Sequence, residues 1–296
     1  MNILLTGATG FIGSNLLLHI PEDCRCYALV RPTTDISHLQ CADIHVFDGD
    51  VDALASFLRE KKISGILHLA SLYLSSHRSE DVAPLVSSNV TFGASVLEAA
   101  AKSDVRWFLN TGTIWQNYEA EGMEYHPVNL YAATKEAFIS VARYYVEACG
   151  LRFCTLKLTD TYGPHDPRRK IFALFREIAE SGETLAMSPG EQQMDILYID
   201  DVVRGFWQLA SMMERGDESL APEYRLGSGH LRSLQELARI FSETVGRPLH
   251  ITWGGRPYRK REVMHPWQEG EILPRWQAKV SLREGILKMM KDCAES

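Results

Sequence analysis

The sequence predicts an α/β fold built on a doubly wound parallel sheet, with a smaller mixed α/β domain beside it. Short apolar segments alternate with segments of helical spacing between residues 3 and 159. This alternation is typical of a parallel sheet whose strands are joined by right-handed helical crossovers. This regular alternation of strand and helix patterns ends after Gly163 and Pro164, which indicates that a second structural unit follows.

Three glycines follow the first predicted strand at intervals of three. The apolar run 3–5 has the length of a short buried strand, and Gly7, Gly10 and Gly13 come directly after it. A helical apolar pattern then runs to Pro21. A glycine turn between a strand and a helix brings a dinucleotide pyrophosphate to the helix N-terminus, so we expect a Rossmann domain. A tight turn without a cofactor is the alternative. The candidate cofactor-binding residues of the turn are Gly7, Thr9, Gly10, Phe11, Ile12 and Gly13.

The other elements follow from apolar periodicity and from helix-stop signals. We expect strands at residues 26–30, 44–47, 66–70, 107–111 and 153–159. We expect helices at residues 52–62, 86–102, 129–149, 168–181 and 233–245. Residues 196–199 with 202–212, and residues 224–226, are expected to return to the sheet as an extra helix and strand.

These elements predict two domains. Residues 1–165 form the cofactor-binding domain, to which residues 196–229 return. Residues 166–195 and 230–296 form a substrate-binding domain that closes over the cofactor cleft.

Composition and charge narrow the class of protein. The 296 residues are 45% hydrophobic and 23% charged, with a net charge of -7, which argues against a nucleic-acid surface. No apolar run is long enough for a membrane span. The first strand leaves no room for a signal peptide, so we expect a cytoplasmic protein. The six cysteines show no metal spacing and are expected to be reduced thiols, and no metal site is predicted.

The ends of the predicted strands supply the remaining cofactor pocket. Arg31 follows the second strand, where an arginine accommodates the 2′-phosphate of NADP and an acidic residue binds the 2′-hydroxyl of NAD. This predicts NADP(H), although a solvated arginine at a strand end is the alternative. Further candidate cofactor-binding residues are Asp50, Val51, Leu69, Ala70, Ser71, Asn89, Tyr131 and Lys135.

Tyr131 and Lys135 lie four residues apart on a predicted helix and therefore share a face. A nearby ammonium group lowers the pKa of a phenol, which suits general acid/base chemistry at a carbonyl or an alcohol. A third group must hydrogen-bond the reacting oxygen. Thr111 and Thr113 share one face at the end of the fifth strand. We favour Thr111 for that role and Thr113 as a helper in the substrate pocket. Caps of local backbone are the alternative for both.

Several motifs together resemble the extended short-chain dehydrogenase/reductases that act on nucleotide sugars. They are residues 6–13, 68–70, 131–135, 162–164, 198–202 and 226–229. Residues 110–116, 127–135 and 188–192 resemble, more narrowly, the CDP-abequose and CDP-paratose synthases. The resemblance implies NADPH-dependent reduction of a CDP-linked 4-keto deoxy sugar. It also implies a catalytic set of Thr111, Tyr131 and Lys135. As in relatives, the apolar faces of helices 86–102 and 129–149 are expected to form a homodimer, and ordinary core packing is the alternative.

Departures from the family pattern suggest other substrate-binding residues. Trp115 stands at the family's tyrosine position, and Asp160 replaces an asparagine that contacts substrate. Met194 replaces an arginine that holds the diphosphate. Arg168, Arg256 and Arg259 are therefore candidate substitutes, because arginines make strong charge-assisted contacts with phosphates. Surface charges on loops are the alternative for each.

Three functions remain open from the sequence. The leading hypothesis is a nucleotide-sugar 4-ketoreductase. The second is a nucleotide-sugar 4-epimerase with tightly bound NAD. The third, from another class, is a redox sensor that binds NADP(H) without catalysis. The expected partner in the two enzymatic cases is a nucleotide-sugar substrate, with neither nucleic acid nor membrane involved.

Overall fold

The computed structural model describes residues 1–37, 39 and 43–292. Its strands are β1 (Asn2–Thr6), β2 (Arg25–Val30), β3 (Asp43–Val46), β4 (Gly65–His68), β5 (Trp107–Thr113), β6 (Arg152–Leu158), β7 (Asp160–Tyr162), β8 (Leu185–Ala186), β9 (Gln193–Tyr198), β10 (Glu223–Leu226), β11 (Leu231–Ser233) and β12 (Ile251–Thr252). Its α-helices are α1 (Phe11–Leu18), α2 (Val51–Glu60), α3 (Val82–Val86), α4 (Phe92–Ala101), α5 (Leu130–Cys149), α6 (Ile171–Ser181), α7 (Ile199–Glu214), α8 (Leu234–Val245) and α9 (Leu282–Asp292).

Seven of these strands form one parallel sheet in the order β10-β6-β5-β4-β1-β2-β3. The strand order reverses between β1 and β4, and a crevice opens there at the carboxyl ends of the strands. The predicted α/β fold with a doubly wound parallel sheet is confirmed.

Side chains of β1 alternate between two hydrophobic cores. Ile3 and Leu5 pack with α1 and α7 on one face of the sheet. Leu4 packs on the other face with buried residues of α2, α4 and α5. Because both faces are covered, the central strands are apolar throughout rather than alternating with polar residues.

Two helices begin elsewhere than the sequence predicts. The helix expected at residues 86–102 starts at Val82 and contains a π-helical turn, Ser87–Thr91, between α3 and α4. The helix expected from residue 168 starts at Ile171, because Arg168 is held by Asp166 and Thr161 outside the helix.

The segment expected to return to the sheet divides between two sheets. Strand β10 pairs with β6, and α7 packs against α1. Residues 196–199, in contrast, do not join the large sheet. They belong to β9 and α7, and β9 lies between β7 and β11 in a three-stranded sheet. Strand β10 lies at the edge of the large sheet beside β6, whereas β9 pairs with β7 and β11 in the separate sheet. The division into two domains stays a prediction.

Two other expectations concern the state of the cysteines and the lack of a membrane-spanning helix. Cys41 and Cys293 lie outside the described residues, and the other four cysteines form no disulfide with one another. None of the helices in the described part of the chain is long and apolar enough to cross a membrane.

Candidate active site

The glycine turn brings β1, α1 and the end of β4 into close contact. Gly7 has a φ of +72°, and a Cβ atom there would lie 2.6 Å from the Ala70 nitrogen. At Gly13 a Cβ atom would lie 2.1 Å from the Gly7 carbonyl oxygen. Thr6 Oγ1 accepts hydrogen bonds from the backbone of Leu69 and Ala70 at 3.2 and 3.1 Å. Both glycines are therefore required by geometry, as close approach in a dinucleotide turn demands.

The N-terminus of α1 is open to an anion. Gly10 is the N-cap and supplies no side-chain hydrogen bond to the first turn. Its neighbours in the turn, Phe11 and Ile12, start a helix whose first N–H groups have no intrahelical acceptor. Those N–H groups and the helix dipole together favour a phosphate. Gly10 is exposed, whereas Thr9 and Ile12 are half-buried.

Arg31 lies in the turn that follows β2. Its backbone nitrogen donates to Thr34 Oγ1 at 3.2 Å, and the residue is exposed. No salt bridge involving its guanidinium group is found in the described part of the chain. An exposed cation without a carboxylate partner is available to a phosphate.

Asp50 and Val51 lie at the start of α2. The Asp50 carboxylate caps this helix, accepting from the nitrogens of Asp52 and Ala53 at 2.9 Å each. Val51 is the first helical residue. Asp50 therefore has a structural role already, and its additional contact with the cofactor stays a prediction.

Asn89 links the loop after β4 to helix α5. It lies in the π-helical turn and is 1% exposed. Its Oδ1 accepts from Leu72 N at 2.7 Å and from Ser71 Oγ at 3.2 Å. Its Nδ2 donates to Leu72 O at 3.0 Å and to Thr134 Oγ1 at 2.9 Å. Its amide group thus ties Ser71 and Leu72, in the loop after β4, to Thr134 on the helix that carries Tyr131.

Tyr131 and Lys135 occupy successive turns at the start of α5, which Asn129 caps by accepting from Ala132 N at 2.9 Å. Lys135 is 2% exposed, and burial lowers its pKa to about 8. Burial raises the pKa of Tyr131 to about 12, against the opposing influence of Ser71 and Arg168. The sequence suggested a lowered tyrosine pKa. In the protein alone the penalty for burying a phenolate outweighs the favourable contacts, so that expectation is wrong.

The two candidate threonines differ in hydrogen bonding. Thr111 Oγ1 is buried and has no hydrogen-bond partner among the described residues. Thr113 Oγ1 accepts from Trp115 N at 3.3 Å and caps the short 3₁₀ turn after β5. A buried hydroxyl without a partner is costly, so the Thr111 hydroxyl is the one available to a ligand.

A cleft of about 1540 Å³ opens beside these residues. It is bordered by the ends of β5 and β7, by the segment before α6 and by the loop 256–263. Five of the six candidate substrate-binding residues line it, and Thr113 does not. The five are Trp115, Asp160, Arg168, Arg256 and Arg259.

The cations of the cleft fall into two groups. Arg168 pairs with Asp166 at 2.7 Å, and Lys170 pairs with Asp160 at 3.1 Å. Arg256 and Arg259 form no salt bridge with any described residue. The positive charge without a carboxylate partner among the described residues therefore includes Arg256 and Arg259 on the loop 256–263, and Arg259 is close enough to oppose the rise in the Tyr73 pKa.

The sequence analysis missed Tyr73, which lines the cleft and packs against two candidate residues. Its ring centroid lies 5.1 Å from that of Tyr131 and 5.8 Å from that of Trp115. Its position just beyond the predicted strand end at residues 66–70 was the available signal, because residues at carboxyl ends of parallel strands line the crevice.

Known proteins similar to this chain share its fold and most of its length. CDP-abequose synthase from Salmonella muenchen is 26% identical over 97% of this chain and 96% of its own sequence. UDP-glucose 4-epimerase from Mycolicibacterium smegmatis is 29% identical over 98% of each. The solved structure of UDP-glucuronic acid 4-epimerase from Bacillus cereus, in complex with UDP-glucuronic acid and NAD, matches with a TM-score of 0.84. It is 21% identical and covers 100% of this chain and 99% of its own.

A family model matches a range that includes the glycine turn, helix α5 and strand β10. The model of the NAD dependent epimerase/dehydratase family matches residues 3–226. The chain therefore belongs to the NAD dependent epimerase/dehydratase family, the extended short-chain dehydrogenase/reductases.

Proposed function

We propose that this protein is an NADPH-dependent reductase of the C4 keto group of a nucleotide-activated, CDP-linked deoxy sugar. The observation that carries the proposal is the unpartnered Thr111 hydroxyl at the carboxyl edge of the sheet. Tyr131 begins the neighbouring helix, and its ring contacts the wall of the large cleft through Tyr73. Full-length similarity to CDP-abequose synthase supports the nucleotide and the sugar.

The two hydroxyl groups have complementary roles in carbonyl reduction. The Thr111 hydroxyl donates a hydrogen bond to the carbonyl oxygen and orients it. Tyr131 then donates its proton to the oxygen as negative charge develops there. Its raised pKa favours this direction, because the phenol is fully protonated at neutral pH. When bound, the nicotinamide cofactor supplies the hydride for the carbonyl carbon.

Lys135 has a supporting role. Burial leaves its ammonium with a lowered pKa, so a polar partner stabilises its charged form. The ribose hydroxyls of the cofactor are such partners. Lys135 then holds the nicotinamide half of the cofactor on the same helix face as Tyr131.

The glycine turn and Arg31 fit NADPH. The turn leaves no room for side chains at Gly7 and Gly13, and the open N-terminus of α1 suits a pyrophosphate. The Arg31 guanidinium, which has no carboxylate partner among the described residues, suits a 2′-phosphate better than the 2′-hydroxyl of NAD.

The charge pattern of the cleft supports one orientation of the substrate. Arg256 and Arg259, free of salt bridges, hold the diphosphate. The sugar then points towards Trp115, Tyr73 and Tyr131, where the cations are neutralised by Asp160 and Asp166. The nucleoside occupies the remainder of the cleft near Met187 and Gln192. A homodimer through α4 and α5 stays a prediction.

A 4-epimerase is the second candidate, and the match to UDP-glucose 4-epimerase at 29% identity favours it. An epimerase uses the same tyrosine as a base and then as an acid, and it returns its cofactor unchanged. Such an enzyme retains NAD through purification and interconverts ordinary hexose nucleotides.

The test is NADPH oxidation with a panel of 4-keto nucleotide sugars that carry CDP, dTDP, UDP or GDP. We expect stoichiometric oxidation with the CDP-linked member and little with NADH, and product NMR then shows whether the new C4 hydroxyl is axial or equatorial. Tyr131→Phe should lower turnover about 10²–10⁴-fold, the range for lost proton transfer, while NADPH binds as before. Full activity of that variant contradicts the assignment.

Two other results separate the alternatives. Retained NAD with interconversion of hexose nucleotides, and no net NADPH use, establishes the epimerase. NADPH binding that changes affinity for a protein partner, with no sugar converted, leaves the redox sensor.

A further inference from the structure

Tyr73 projects into the cleft from the loop that follows β4. Its ring meets the Tyr131 ring edge-on, at 82° and 5.1 Å between centroids, and lies 5.8 Å from the Trp115 ring. Edge-to-face contacts of this kind are favourable and directional. The ring is therefore oriented by the residues that flank the reaction centre.

An ion pair holds the same ring from another side. Lys170 Nζ lies 5.4 Å from the Tyr73 ring centroid, within the range of a cation–π contact. Asp160 fixes this ammonium at 3.1 Å. Both side chains are about three-quarters buried, at 21% and 25% exposure. The pair thus occupies the sugar end of the cleft as a neutral unit and leaves the Tyr73 ring little freedom.

The Tyr73 hydroxyl, in contrast, is not used by the protein. It makes no hydrogen bond to any described residue, although the ring is packed on three sides. Burial and the nearby Asp160 raise its pKa, so the group stays a neutral phenol that both donates and accepts. The Tyr73 hydroxyl is therefore held in a fixed orientation next to Tyr131 and is available to a ligand. A residue that served packing alone would not need this hydroxyl.

We propose that Tyr73 is a specificity-determining residue whose hydroxyl hydrogen-bonds a hydroxyl group of the substrate sugar. The inference rests on the proposed function and refines it. It predicts that the sugar carries a ring hydroxyl within reach of the carbonyl held by Tyr131. It also assigns Asp160 and Lys170 as positioning residues, which act on the sugar through the Tyr73 ring.

The test compares wild type, Tyr73→Phe and a matched control, Tyr144→Phe. Tyr73→Phe keeps the ring and its contacts and removes only the hydroxyl. Tyr144 is 64% exposed on α5 and does not line the cleft, so its substitution changes the same atom elsewhere. Each protein is assayed with a 4-keto-6-deoxyglucose nucleotide and with its 2-deoxy and 3-deoxy counterparts. All three sugars carry the nucleotide that the wild type accepts. Affinities for NADPH and for the free nucleotide are measured in parallel.

We expect Tyr73→Phe to lower kcat/KM about tenfold on the hydroxylated sugar, as the loss of one hydrogen bond implies. The loss should vanish on the analogue that lacks the contacted hydroxyl, which identifies its position. Affinities for NADPH and free nucleotide should be unchanged, and Tyr144→Phe should match wild type throughout.

Two results overturn the inference while the proposed function stands. One is a Tyr73→Phe variant with wild-type kcat/KM on all three sugars. The other is an equal loss on all three together with weakened nucleotide binding, which shows a structural role. A wild-type protein that neither oxidises NADPH with these sugars nor binds them overturns both proposals.

Discussion

Thr111 and Thr113 lie on one face of a single strand, yet their hydroxyl groups are not equivalent. The Thr113 hydroxyl is used by the backbone of Trp115, whereas the Thr111 hydroxyl is buried without a partner in the described part of the chain. The spacing of the two residues could not distinguish them. Their roles are separated only by the 3₁₀ turn that folds back onto Thr113.

Isosteric substitution separates the two threonines. Thr111→Val removes an unsatisfied polar atom, so we expect unchanged or higher stability and a fall in kcat of about 10²-fold, as for a lost oxyanion donor. Thr113→Val removes a cap and should lower the free energy of unfolding by about 1 kcal/mol, with a smaller effect on kcat. Denaturant unfolding and NADPH oxidation measure both. The opposite pattern, with activity lost only in Thr113→Val, assigns the catalytic hydroxyl to Thr113.

At the scale of elements, the turn between β1 and α1 depends on two kinds of glycine. Gly13 permits the helix to approach the strand, since a Cβ atom there would meet the Gly7 carbonyl at 2.1 Å. At Gly10 the nearest atom to a Cβ lies at 3.3 Å, and φ is −79°. A Cβ atom at Gly10 would therefore be tight against the Gly7 carbonyl, but it would require a far smaller shift than at Gly13, and Gly10 is exposed where the pyrophosphate is predicted.

Alanine substitutions should distinguish packing from cofactor approach. Gly13→Ala should lower both the melting temperature and the affinity for NADPH, because backbone atoms must move. Gly10→Ala should lower the affinity for NADPH about tenfold or more, because the new methyl group obstructs the approach of the ligand. The melting temperature should stay close to that of the wild type. Thermal unfolding and a fluorescence titration with NADPH are the measurements. A Gly10→Ala variant with wild-type NADPH affinity argues against a pyrophosphate at this turn.

For the whole molecule, two buried lysines should have opposite effects on stability. Lys135 and Lys157 are 2% and 3% exposed. Lys157 is satisfied by Glu223 Oε1 and Asn117 Oδ1 at 2.8 Å each. The pKa of Lys135 is lowered to about 8 by burial alone. Lys135 thus lowers the stability of the folded protein, whereas Lys157 is part of a satisfied cluster.

The pH dependence of stability follows from the sign of the Lys135 shift. Its folded-state pKa is lower than its unfolded one, so the folded protein binds this proton less tightly. The destabilisation caused by the buried ammonium is complete below about pH 8. It disappears as the pH rises towards the unfolded-state pKa of about 10.4. We expect Lys135→Met to exceed wild type in stability by up to about 3 kcal/mol near neutral pH, with the difference closing at higher pH. Activity should be lost.

Lys157→Met is the matched control. It leaves the Glu223 carboxylate without its cation and should lower the free energy of unfolding at every pH. Urea unfolding of the three proteins between about pH 7 and pH 10 gives the comparison. A Lys135→Met protein less stable than wild type near pH 7 contradicts the cost assigned to the buried ammonium.

The sequence by itself determined the fold class, the glycine turn and the family. Strands and helices with strong apolar periodicity bury their apolar faces in any tertiary arrangement. Their pattern along the chain was therefore sufficient to predict a doubly wound sheet. The glycines at 7 and 13 were also readable, because their spacing after a strand matches a single backbone geometry. Where the pattern failed, tertiary contacts had changed the outcome. Residues 224–226 return to the large sheet as predicted, whereas β9 pairs with β7 and β11 in a separate sheet.

Only the tertiary structure decided which side chains meet in the cleft and which are already engaged. Tyr73 lies far from Trp115, Tyr131 and Lys170 in sequence, and no periodicity connects them, yet its ring contacts all three. The pKa of Tyr131 likewise follows from burial rather than from the spacing to Lys135. Hydrogen-bond partners, ion pairs and desolvation are properties of three-dimensional neighbours, and those neighbours exist only once the strands have brought their carboxyl ends together.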